Sequence, residues 1–522
     1  MIAELYSIIT GRVKDFVFKH DSVRVIQTAL KYANQTQRKA IAQELKGDYR
    51  SLAESKYAKF LLGKILVHGD TEIRDMIIPE FYGHVKKLIR HPEASWIMDD
   101  IYRTVATSTQ KATMLREWYG TEFALFKAAA GDDNTADLSQ ILEKNPEKRG
   151  PIMQYLHELI NLLVQKKTTG FTMLHDAMLQ YFLNTKPGST EATEFLELLK
   201  SDEEGDLVKN LGFTKSGARL MCLALAYANA KDRKLLLRMY RDTVKLLAGD
   251  LYGHTIILSA FEVIDDTKLT SKLIFPELFS QSSSQEEREE DLIQGANHLT
   301  ARIPLLYLFV DEKIKWLLTD ADQQVLDEVR AIRAETSKKD PQLRRQELTK
   351  AASPNLLEFI AAKAGSLIET SFGCQFIVEV LFGGEGDKKA ALSSIAEASR
   401  SKESKAMDTP AAGRMLKSLV QGGRYNPDTK TVERVDPPLN FASILYDQIK
   451  DDIIAWATES NPFVIVALTE AEDFEKKDEL LKTLKNNKKT LTELAKGADK
   501  SKDKKEKKGP AASAAKLLLE KI

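Results

Sequence analysis

The chain has 522 residues, 43% hydrophobic and 29% charged, enough to bury a sizeable core and to exclude wholesale disorder. Its 76 Lys and Arg balance 76 Asp and Glu, which excludes a uniformly basic nucleic-acid coat, so any basic surface is local. Two cysteines, Cys222 and Cys374, exclude a disulfide scaffold and a Cys-rich zinc module. The first ten residues lack a basic lead and are broken by Glu4, so they do not read as a signal peptide. With no apolar run of 18 residues, no membrane span is expected.

Apolar residues recur at helical spacing almost throughout, as at Val25, Ile26, Ala29 and Leu30, and again at Leu61, Leu62, Ile65 and Leu66. No convincing alternation of apolar and polar residues is found, so the chain reads as all-α. One five-residue phrase recurs: variable, variable, apolar, apolar, variable. Its second positions are Arg24, Phe60, Trp96, Phe123, Thr172, Arg219, Thr255, Arg302, Phe376, Arg414 and Phe463. The first three lie 36 residues apart, as do Arg219 and Thr255. The other intervals require insertions or shortened copies.

A period near 36 predicts a solenoid of stacked helical units, because one unit alone cannot bury its apolar face. The third and fourth positions are expected in the shared core. The first, second and fifth lie at i, i+1 and i+4 and are expected to line one inner surface.

This phrase resembles the Pumilio/PUF repeat. Asp15-Phe-Val-Phe-Lys-His-Asp-Ser-Val-Arg-Val-Ile-Gln, Ala230-Lys-Asp-Arg-Lys and Asp250-Leu-Tyr-Gly-His-Thr-Ile-Ile-Leu resemble the Puf-A (Penguin) family of nucleolar Pumilio-like proteins. The stretch from His298-Leu-Thr-Ala-Arg-Ile-Pro-Leu-Leu-Tyr-Leu to Glu379 is similar to that family's CPL region. The resemblance runs to about Glu470. It implies eleven Pumilio-like repeats in two arms forming an L, over 1–280 and 298–470, with an acidic loop over 281–297. A Lys-rich, partly flexible tail is expected over 471–522. It also implies a basic extension ahead of the first repeat, little sequence preference, and a role in large ribosomal subunit assembly and rRNA processing in the nucleolus. The partners it implies are RNA (rRNA precursors, with mRNA and non-specific DNA as further candidates) and pre-ribosomal proteins. A monomer is expected, with no cofactor and no metal.

In that family's sequence-reading relatives the first and fifth positions hydrogen-bond a base edge and the second stacks between bases. Pairs such as Val23/Gln27, Lys59/Gly63, Ala218/Cys222 and Pro462/Val466 reproduce no base code. A dry base edge left unpaired there would cost about 1–3 kcal/mol per group. Acidic inner positions at Asp99, Glu122 and Glu379 are expected to repel phosphate. Electrostatics remains: the first 120 residues hold 19 basic and 14 acidic side chains. The expected RNA-binding residues are Lys14, Lys19, Arg24, Gln27, Lys56, Lys59, Phe60, Lys64 and Trp96. Arg24, Phe60 and Trp96 are the stacking set. Lys86, Lys87 and Arg90 add positive charge nearby. A second basic group is Lys215, Arg219, Arg414 and Lys417. Phe123, Phe376 and Phe463 are read as core.

From Glu475 to Ile522 there are 15 Lys against 8 Asp and Glu, and Lys500-Ser-Lys-Asp-Lys-Lys-Glu-Lys-Lys is low-complexity. It reads as a nuclear or nucleolar address or an RNA-clinging arm. Protease, hydrolase and P-loop signatures are absent, and no enzyme is expected. Two rival functions stay open: a sequence-specific mRNA repressor, which the broken base code opposes, and a protein-only α-solenoid.

Overall fold

Each repeat begins with a helix whose apolar positions recur every three or four residues, and a polar cap starts the helix that follows. The computed structural model describes residues 2–120, 135–202, 204–311, 316–400, 409–426, 428–497 and 510–522. Asn34 accepts from the Gln37 amide, Asp70 from Ile73, Thr107 from Gln110, Asn229 from Asp232 and Asp266 from Leu269. Such caps contribute about 1 kcal/mol each. Gln37 and Gln110 complete reciprocal capping boxes.

The chain divides into two compact units, Met1–Tyr227 and Ala228–Ile522, so the division falls well ahead of the expected acidic segment. In the first unit the repeated phrase lies on helices His20–Tyr32, Lys59–His68, Ala94–Asp100, Thr172–Leu183 and Lys215–Tyr227. Successive members pack on one another, with the π-helical turn Ile101–Val105 joining Ala94–Asp100 to Thr172–Leu183. In the second unit the same ladder runs through His254–Val263, Arg302–Leu306, Ser371–Gly383, Pro410–Gln421 and Pro462–Glu470. The fold is an all-α solenoid. Among the described residues the strands are a short hairpin, Gly423–Asn426 against Thr431–Arg434. No described helix is long and apolar enough to cross a membrane.

One contact recurs between repeats. The Glu44 carboxylate accepts from the Gly11 and Val13 amides (2.7 and 3.2 Å), and Glu80 from Gly47 and Tyr49 (2.8 and 3.4 Å). Glu117 accepts from Gly83 and Val85 (2.6 and 2.9 Å), and Glu277 from Asp242 and Val244 (2.7 and 2.9 Å). Gly11, Gly47, Gly83 and Asp242 all have positive φ, which turns two amides i and i+2 toward one acceptor. Burial pushes Glu117 up to about 7, against the pull of those amides.

Other expectations are corrected. Residues 281–297 are not a loop: Ser284 and Glu287 form a capping box that starts the helix Gln285–Asn297. The 471–522 segment is not a plain tail. Helices Lys477–Asn486, Lys488–Gly497 and Pro510–Lys521 occupy its described parts, and the last packs on Pro462–Glu470 with Ala514, Ala515 and Leu518 buried. The Phe123 repeat with Glu122, and the run Lys500–Lys508, lie outside the described residues. The long interval between Arg302 and Phe376 is filled by helices Asp320–Thr336 and Pro341–Ile368. Asp320–Thr336 is tied to the repeat ladder through buried Glu262, which receives Arg333 and the Tyr307 hydroxyl.

Two predictions follow from this packing. Glu277→Ala leaves two amides without their acceptor and should cost about 1–3 kcal/mol. Faster amide exchange around Asp242–Val244 would report it, and unchanged exchange would refute the role. His175 is fully buried between Thr214 Oγ1 at 2.8 Å and the Thr169 carbonyl at 2.7 Å. Burial pulls its pKa down to about 4 from 6.5. The folded value is depressed, so the stability is complete above pH 6.5 and is lost as pH falls toward about 4. The wild-type advantage over His175→Gln should shrink by about 3 kcal/mol on acidification from pH 7 to below pH 4. Hydrogen exchange of Thr172–Leu183 across that range measures it.

Candidate nucleic-acid interface

The second positions are the exposed ones in the first three repeats. Arg24 is exposed on His20–Tyr32, Phe60 is 60% exposed on Lys59–His68, and Trp96 is 59% exposed on Ala94–Asp100. Trp96 packs at right angles to buried Phe171, with ring centres 5.0 Å apart, which holds the indole in place. Phe60 carries the Lys59 ammonium 5.2 Å from its ring centre.

Most of the first positions do not join that surface, contrary to expectation; Lys59 is half-buried beside Phe60. Val23, Ser95, Phe171, Ala218 and His254 are buried. A residue one step before the exposed position is turned about 100° around the helix, which here points it at a neighbouring repeat. The third position is in the core as expected at Leu61, Met173, Leu220, Ile256, Ile303, Met415 and Val464, while Val25 is 39% exposed and Ile97 half-buried. In Ser371–Gly383 the register is one residue off the expected one: Phe376 is fully buried and Gln375 is half-buried.

The basic residues separate into free and paired. Lys19, Arg24, Lys56 and Lys64 are exposed and, among the described residues, form no ion pair. Lys64 Nζ donates to Gln27 Oε1 at 3.2 Å, tying two successive repeats together on this face. Lys14 is engaged by Asp48 at 2.6 Å. Lys59 is engaged by Glu93 at 2.7 Å, and that bond holds the Glu93 carboxyl below its usual range. Lys87 faces Glu54 at 3.5 Å. Lys14 and Lys59 are therefore structural ties between repeats more than open phosphate ligands.

The acidic inner positions are corrected too. Asp99 is 5% exposed and accepts from the Met173 amide at 3.1 Å, at the start of the next repeat helix. Burial raises its pKa to about 6. Glu379 is buried against Arg424. Neither presents charge to a ligand on the repeat face.

Residues missed by the sequence reading extend the surface. Tyr32 and Tyr57 are exposed, with Lys31 Nζ 5.3 Å and Lys56 Nζ 5.7 Å from their ring centres. His20 packs edge-on against Tyr57 at 4.7 Å. Tyr155 is half-open under Lys86 Nζ at 4.5 Å, and burial pulls the Lys86 pKa down. The adjacent Lys-aromatic pairs 31–32, 56–57 and 59–60 were the available signal.

Lys215 is exposed and Arg219 half-buried one turn apart on Lys215–Tyr227. In the second unit Arg414 is exposed on Pro410–Gln421, beside a groove of about 370 Å³ lined by Gln375 and Cys374. Burial pushes the Cys374 thiol up to about 11. Lys417 lies one turn after Arg414, with its Nζ 6.0 Å from the centre of the half-open Phe463 ring, so Phe463 is not a core residue. Arg302, at a second position, is buried over Phe372 at 3.9 Å and donates to Gln375 at 3.2 Å.

Comparison with known proteins agrees with this architecture. The CPL (NUC119) domain model matches residues 297–431. Pumilio homology domain family member 6 of Schizosaccharomyces pombe is 34% identical over 496 residues, 94% of this chain and 74% of that protein. Its Saccharomyces cerevisiae namesake is 32% identical over 491 residues, 90% of this chain and 71% of that one. The crystal structure of human Puf-A aligns over 100% of this chain and 94% of its own, with a TM-score of 0.80 and 27% identity. A structure of human Puf-A in complex with DNA aligns equally well, with a TM-score of 0.80. A likeness that holds along almost the whole chain, in sequence and in helical path, has one reading: the chain belongs to the Puf-A-like Pumilio family.

Proposed function

We propose that this chain is a non-catalytic scaffold that binds RNA with low sequence specificity in the assembly of the large ribosomal subunit and in rRNA processing, in the nucleolus. The carrying observation is the exposed row of Arg24, Phe60 and Trp96, beside first positions that are buried at Val23 and Ser95 and tied to Glu93 at Lys59. A flat side chain can lie on any base, at about 1–3 kcal/mol per stacked base. A base edge that meets no donor or acceptor is not read. Lys19, Lys56 and Lys64 supply phosphate neutralisation, which is blind to sequence. The DNA complex of human Puf-A supports a nucleic-acid ligand for this fold. The assembly role, the nucleolar site and pre-ribosomal protein partners rest on the family resemblance.

The test is a salt series on unrelated single-stranded RNAs and a UGUA-containing RNA. Affinities should be similar and should fall together with salt. The combined Arg24→Glu, Lys56→Glu and Lys64→Glu change should weaken all of them by at least about tenfold and reduce the salt slope by about 2. Phe60→Ala with Trp96→Ala should weaken single strands more than duplex. Unchanged affinity in the charge variant removes this surface from the reading. A strong preference for one sequence that survives high salt would replace it with specific mRNA recognition. In cell extracts the chain should sediment with large-subunit precursors, and the charge variant should shift to free fractions.

A further inference from the structure

The second unit carries a groove on the helices that do not hold the repeated phrase. It lies between Thr267–Leu278 and Pro341–Ile368, which pack on each other, and measures about 950 Å³. Its floor is apolar: buried Phe275, half-buried Pro276 and the exposed methyl of Ala351.

The charges around it are unevenly used. Two of the three carboxylates in the lining are held in ion pairs, and the third caps a helix. Asp265 is held by Arg344 at 2.6 Å and by the Lys338 amide at 2.9 Å, which keeps its carboxyl below the usual range. Asp266 caps the Thr267–Leu278 helix through the Leu269 amide at 3.0 Å. Glu347 takes Lys339 at 2.6 Å and the Thr267 hydroxyl. The lysines are not all occupied. Lys268, Lys272 and Lys350 are exposed, and among the described residues they form no ion pair. Lys268 and Lys272 stand one turn apart and so share a face of their helix. The groove therefore offers three open ammonium groups at the rim of an apolar floor, against one exposed carboxylate, Asp266, that is held at a helix start and forms no ion pair among the described residues.

We propose that this groove docks an acidic peptide segment of a partner protein, whose carboxylates meet Lys268, Lys272 and Lys350 while an aliphatic side chain covers Ala351 and Pro276. Charge complementarity selects the partner, and the apolar floor fixes its register. A nucleic-acid strand fits this groove less well, because Phe275 is buried and no exposed ring is available for stacking. The proposal does not depend on the RNA reading, since none of these residues belongs to the Arg24–Phe60–Trp96 surface.

The test uses the full chain and a fluorescein-labelled twelve-residue peptide of alternating Glu and Leu, with its Gln-for-Glu counterpart as control. The acidic peptide should bind and the Gln peptide should not. The combined Lys268→Glu, Lys272→Glu and Lys350→Glu change should weaken the acidic peptide by at least about tenfold, three rim pairs being lost and reversed. It should leave the affinity for single-stranded RNA unchanged. Ala351→Arg, which fills the floor and adds positive charge, should also weaken the peptide, an effect that a purely electrostatic attraction would reverse. The proposal is overturned if the wild-type chain ignores the peptide, or if the triple variant binds it as before. It is equally overturned if the triple variant loses RNA and keeps its thermal midpoint, which would make the groove a nucleic-acid surface.

Discussion

A carboxylate from one repeat, closed on two backbone amides of the repeat before it, fixes how far the chain must travel before the pattern returns. Glu44, Glu80, Glu117 and Glu277 all do this, and each reaches back 31–35 residues. The turn they close needs a residue of positive φ, supplied three times by glycine and once by Asp242. An apolar stack alone could slide by a turn at modest cost, since Leu, Ile and Val are nearly interchangeable in a core. A carboxylate that must find two amides i and i+2 has one solution. Register therefore comes from polar contacts, while most of the stabilisation comes from burial of side chains such as Leu61, Leu62, Ile65 and Leu66, roughly 1.5–3 kcal/mol each.

That division explains what could be read from the sequence. The repeat was legible because the fourth position must always be apolar: Ile26, Leu62, Met98, Leu174 and Met221 are all buried. The exposed second position was legible because an Arg, a Phe and a Trp at 36-residue intervals fit no common core. The first position was misread because neighbouring helices, which sequence does not display, decide which way it points. Lys59 and Glu93 are 34 residues apart, and nothing local marks them as partners. The Gln285–Asn297 helix could have been found, because Ser284 and Glu287 have the spacing of a capping box, but the density of charge suggested a loop. The last helix was hidden in the same way: Ala514, Ala515 and Leu518 share one face inside a Lys-rich composition.

The formal neutrality of the chain conceals an uneven use of charge. Many carboxylates serve as staples or helix caps: Asp70, Asp99, Asp137, Glu80, Glu117 and Asp266 all accept from backbone amides. Their negative charge is committed to holding turns and helix starts, and it is not displayed on the exposed second-position row. Lysines cannot replace them there, because an ammonium has no acceptor for an amide. Positive charge is thus left over on the faces that the stack does not use. A protein with 76 charges of each sign can in this way present a basic strip without being basic. The staple carboxylates and the exposed basic strip are then different residues. Removing a staple carboxylate loosens the array and leaves the lysine strip in place, whereas reversing Lys64 or Arg24 changes the strip and touches no buried group. The first positions show the same division: Val23 and Ser95 are taken up by the packing of one repeat on the next, while Arg24 and Trp96 beside them stay open.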